Sequence, residues 1–163
     1  MVSRPIPLHD EPTMERVREL VMLMRETMYD ARGWGLSAVQ IGVPAQVFIV
    51  HHPSESKLPL TFVNPVIMGV SDELTHWKEG CLSFKGAEET ISRPKTVTVQ
   101  HNDECGRSDI HTYTGWTARI ILHEFDHLNG TLMIDHLKPA TKQWMLRKMK
   151  RTAASKSRRR RAA

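Results

Sequence analysis

An α+β domain is the fold class that the sequence predicts. Three observations carry it: apolar residues at helical spacing towards both ends, short segments of strand character between them, and a length of 163 residues that suits one domain. Hydrophobic residues at 40% and charged residues at 25% supply one core and argue against disorder throughout.

Val17, Leu20, Val21, Met24 and Met28 fall on one helical face, which predicts a helix over 13–31 with Asp10 or Thr13 as its cap and Gly33 at its end. Its methionines suit core packing, because the side chain fills irregular gaps. Gly33, Gly35 and Gly42 with Pro44 read as loop, and Gln46 to His51 and Leu60 to Ile67 as short strands. Lys95 to His101 alternates, with Val97 and Val99 on one face. The turn residues Asn102 to Gly106 then lead into a second strand near Ser108 to Tyr113, and together these predict a hairpin. Cys105 sits in that turn and receives no role. Trp116, Ile120, Ile121, Phe125 and Leu128 mark a second helix over 115–129, bounded by Gly115 and Gly130. A third begins near Pro139 to Thr141 and carries Trp144, Met145 and Met149. There are no internal repeats.

Charge is distributed unevenly. Ten basic residues and no acidic one follow Thr141, so the net charge of +5 for the whole chain falls to −5 over residues 1–140. Such a run is either a solvated end or an electrostatic handle for nucleic acid. The first residues hold no signal-peptide core, and no segment reaches the roughly 20 apolar residues of a membrane span. Two cysteines are too few for a disulfide framework and suit a reducing compartment. These features together predict a soluble, cytoplasmic protein.

The chemistry lies on the second helix. His123-Glu124-Phe125-Asp126-His127 has HExxH spacing, which puts two imidazoles one turn apart on one face with a carboxylate beside them. A hydrolytic metal usually takes three protein ligands and leaves a position open. No Glu follows Glu124, and the HExxHxxGxxH pattern fails at Met133, so the third ligand is sought upstream. Glu79-Gly80-Cys81-Leu82-Ser83 offers Cys81, whose thiolate is a soft ligand and whose plainer reading is a small buried hydrophobe.

Three segments in order resemble the motifs of peptide deformylases: Gly33-Trp34-Gly35-Leu36-Ser37-Ala38-Val39-Gln40, then Glu79 to Ser83, then His123 to Gly130. The resemblance implies mostly antiparallel strands around a central helix bearing HExxH, with an N-terminal and a C-terminal helix. It implies a metal-dependent hydrolase that removes the N-formyl group from formyl-methionine of nascent polypeptides, releasing formate. Cys81, His123 and His127 would hold one divalent ion, Glu124 would handle the proton, and Gln40 with the backbone N–H of Leu82 would stabilise the oxyanion. Gly33, Gly35 and Gly80 would let backbone approach the substrate. Trp34, Trp116, Ile120 and His123 would border the methionine pocket, and Arg93 would lie near its entrance.

Three departures stand out: the family usually has Ala where Ser37 stands, a small aliphatic residue at Trp34, and often Gln at Leu122. None removes a catalytic group, although Trp34 alters the pocket. The resemblance favours iron(II), with zinc or nickel as other occupants, and the donor set also accepts cobalt. Residues 1–140 are expected to form the catalytic domain and 141–163 a basic helix and tail, with the ribosome as an expected partner of that tail. A metallopeptidase cleaving internal amides and a basic RNA-binding module with a structural metal are the competing classes.

Overall fold

Asp10 stands in extended conformation and accepts a hydrogen bond from the Thr13 N–H, so the first helix, α1, runs over Glu11–Asp30. The computed structural model that shows this describes residues 2–8, 10–55, 57–84 and 87–148. The end of α1 differs from expectation. The left-handed residue is Arg32 at φ 55°, and the Gly33 N–H closes the turn onto Met28 O. Gly33 serves close packing instead, because a Cβ there would lie 2.8 Å from Leu82 Cδ1.

Seven strands follow: β1 (Gly35–Ser37), β2 (Val47–Val50), β3 (Leu60–Val70), β4 (Leu74–Gly80), β5 (Glu88–Pro94), β6 (Thr96–Asn102) and β7 (Ser108–Thr114). One sheet has the order β1-β2-β3-β6-β7 and the other pairs β4 with β5, every pairing antiparallel. β6 and β7 form the hairpin that the alternation predicts, with Val97, Val99 and His101 buried.

β2 explains how the layers stack. All four of its residues are buried. Alternate side chains enter different clusters: Val47 and Ile49 meet Val17, Val21, Met24 and Met28 of α1, whereas Phe48 and Val50 meet Ala118, Ile120 and Ile121. Those last three belong to the second helix, α2 (Gly115–Leu128). The sheet is therefore covered on both faces, and α2 is packed all along one side.

β1 and the β4–β5 hairpin were not expected from the sequence. β1 is three residues long in a glycine-rich stretch, and β4 buries only Glu79, so neither offers an apolar alternation to read. A third helix covers 139–148, spanning the expected domain boundary. Its Met145 is buried against Cys81, Ala87, Ile91, Met133 and Ile134, while Trp144 is half exposed. Met149 and the basic residues from Lys150 onward lie outside the described residues. Among the described residues no helix is long and apolar enough to cross a membrane.

Candidate active site

Helical spacing puts His123 and His127 on one face of α2 with ring centroids 5.0 Å apart, and Cys81 follows β4 directly, so that its Sγ lies 3.2 Å from His127 Nε2. One donor atom from each of Cys81, His123 and His127 lies within 4.8 Å of the others, and all three residues are buried. Tetrahedral ligation at bond lengths of about 2.0–2.3 Å needs donors about 3.5 Å apart, so the spacing and the thiolate–imidazole chemistry both suit a divalent cation.

Glu79 organises this group. It is the one inward residue of β4 and takes the hydrogen bond from His123 Nδ1 at 3.1 Å, which leaves Nε2 to face a cation. Arg93 holds the same carboxylate in a fork, Nε to Oε1 at 2.7 Å and Nη2 to Oε2 at 3.1 Å, and Arg119 Nη1 donates to Oε1 as well. Burial raises the Glu79 pKa, but the hydrogen bonds and charges of His123 and Arg93 outweigh it and hold it at about 2. Burial also acts on the ligands and is outweighed again: the two histidines bring the Cys81 thiol down to about 6, and Cys81, Glu79 and Glu124 lift His123 to about 10. The directions describe a thiolate–imidazolium pair whose proton a bound cation would displace.

Of these residues, Glu79, Cys81, Arg119 and His123 form part of the wall of a cavity of about 470 Å³. Gly33, Trp34, Gly35, Gln40, Gly80, Cys81, Leu82, Trp116, Ile120, His123 and Glu124 all line it. Arg93 does not: it is 4% exposed and spans Glu79 and Asp126, so it is buried away from the entrance. The space above Gly35 belongs to the protein, since a Cβ there would lie 2.5 Å from Glu124 Oε1 and 2.7 Å from Ile120 Cγ2. Gln40 is fixed by its carbonyl, which accepts from the Ser37 N–H at 2.8 Å, and its Nε2 donates to Ser83 Oγ at 3.2 Å, beside Cys81.

The outer rim is aromatic. Trp34 meets Trp116 at 5.5 Å and His52 at 4.7 Å, and His52 lies parallel to Trp116. Glu55 accepts from the N–H groups of Trp116 and Thr117, anchoring the start of α2 to the loop after β2. Sequence reasoning missed Glu79, Arg119, His52 and Glu55 as supporting residues. Arg119 alone left a signal: a lone cation in the run Gly-Trp-Thr-Ala-Arg-Ile-Ile-Leu implies a buried partner.

An α+β domain that places a buried Cys-His-His donor set beside a cavity lined by a neighbouring carboxylate defines the class of a metal-dependent hydrolase. The family model for polypeptide deformylase matches residues 2–143. A peptide deformylase of Agrobacterium fabrum is 39% identical, the match covering 96% of this chain and 99% of the relative, and one of Cellvibrio japonicus is 40% identical over 85% and 79%. Among solved structures, a peptide deformylase from Legionella pneumophila superposes with TM-score 0.86 at 34% identity, covering 97% of this chain and 90% of that one. One from Ehrlichia chaffeensis in complex with actinonin gives 0.84 at 34%, covering 93% and 90%. The chain belongs to the peptide deformylase family, metal-dependent hydrolases that remove the N-formyl group from nascent peptides.

Proposed function

We propose that Cys81, His123 and His127 hold one divalent ion in this chain and that Glu124 moves the proton as formate is released. The observation that carries this is the clustering of the three donor atoms within 4.8 Å of one another, two of them, Cys81 and His123, on a cavity wall that also carries Glu124 and Gln40. A bound cation supplies Lewis acidity and lowers the pKa of water from 15.7 to about 7. Glu124, 3% exposed, accepts the proton on the cavity side and returns it to the leaving amine, a role typically worth about 10²- to 10⁴-fold. Gln40 Nε2 and the Leu82 backbone N–H donate to the developing oxyanion. Trp34, Trp116 and Ile120 bound the methionine side chain, Gly80 keeps that part of the wall low, and Gly33 and Gly35 let Leu82 and Glu124 pack close beside it.

Iron(II) is the native ion in this reading, with zinc and nickel as substitutes, because one thiolate and two imidazoles accept all three. The reaction belongs in the cytoplasm, where chains emerge from ribosomes. The ten basic residues after Thr141 are suited to ribosomal RNA phosphate by sequence-independent attraction. Stripping the protein with a chelator and reloading it with each cation in turn tests the site. Activity should vanish and return with one equivalent of metal, and full activity in the stripped protein would remove the metal from the mechanism.

A further inference from the structure

Ser37 ends β1, is fully buried and touches both proposed polar participants. Its Oγ lies 2.7 Å from Glu124 Oε2 and 2.9 Å from Glu124 O, and its N–H donates to Gln40 Oε1 at 2.8 Å. We propose that Ser37 is a positioning residue for deformylation, presenting Glu124 Oε1 to the cavity while holding the Gln40 amide with its NH2 towards Cys81.

The inference rests on the reading of Glu124 as proton carrier. A hydroxyl has one proton, and of its two neighbours the carboxylate is the stronger acceptor, so Oε2 is occupied by Ser37. Oε1 then sits above Gly35, where a Cβ would come within 2.5 Å, so one carboxylate is gripped between two residues of one strand. That strand is held in the sheet by pairing with β2, Ser37 opposite Phe48 and Gly35 opposite Val50. Without the hydroxyl, Oε2 loses the Ser37 hydrogen bond and the carboxylate can rotate away from the reacting proton. The backbone bond to Gln40 survives any side-chain change, so substitution at Ser37 isolates the effect on Glu124.

The test is a double-mutant cycle on the metal-loaded enzyme, with kcat, KM and bound metal measured for Ser37→Ala, Glu124→Ala and the double variant, and with the near-isosteric Ser37→Cys as a second probe. Ser37→Ala and Ser37→Cys should lower kcat about 10-fold, at the low end for a residue that orients a catalytic group, with KM and metal content unchanged. In the Glu124→Ala background the Ser37 change should have no further effect. An unaltered kcat in both single Ser37 variants, or a fall matched by loss of metal or repeated without Glu124, overturns the inference. Normal turnover in Glu124→Ala overturns the reading of Glu124 itself.

Discussion

Cys81 and Glu124 both line the same cavity, yet their removal has different consequences. Cys81→Ala leaves two histidines, too few to retain a catalytic ion, so metal and activity should disappear together; a folded, active variant with stoichiometric metal by elemental analysis contradicts the ligand assignment. Gln40→Leu removes a donor and not a ligand. It should cut turnover about 10²- to 10³-fold with the metal still bound, and a change confined to the Michaelis constant makes Gln40 a binding residue instead. Only HExxH carries geometry in its spacing; Cys81 was sought upstream as a third donor, and the expectation for Gln40 came from the family resemblance of its segment. Glu79 was not readable, although it stands two residues before Cys81. Its role depends on Arg93, Arg119 and His123, which only the fold brings to one carboxylate.

At the level of elements, the amphipathic helices announced themselves through buried stripes such as Val17, Val21, Met24 and Met28, whereas the β4–β5 hairpin exposes most of its residues and has no such stripe. Glu55 shows a second reason for silence: it caps α2 across 61 and 62 residues of sequence, a relation no local pattern records. β6 carries a testable consequence of burial. His101 packs 4.3 Å from Phe62 with Nε2 3.2 Å from Tyr113 Oη, and burial pushes its pKa below the ordinary 6.5. Above about pH 6.5 the ring is neutral in both folded and unfolded chains, and its contribution is complete. As the pH falls below that value the unfolded chain takes up a proton that the folded one resists, so stability declines. Urea midpoints at pH 7.5 and 5.5 should therefore differ less in His101→Gln than in the parent. An identical difference in the two proteins rules His101 out as a source of the pH dependence.

Across the whole molecule, the sheet lies between α1 and α2, and the third helix closes the cluster around Cys81 with Met145. The proposed metal ligands, Glu124 and Gln40 all lie within residues 33–127, ahead of the basic run. Deleting residues 152–163 should leave hydrolysis of a short formyl peptide unchanged while weakening salt-sensitive co-sedimentation with ribosomes; equal sedimentation at low salt makes the run a solvated end. The central claim is that this constellation releases formate through Glu124. Its most direct test is formate production from a formyl-methionyl peptide by the metal-loaded parent and by Glu124→Ala at equal metal content. The account predicts stoichiometric formate with the peptide otherwise intact for the parent, and a loss of about 10²-fold or more in the variant. Absence of formate from the loaded parent, cleavage at internal bonds, or equal rates in the two proteins would contradict it.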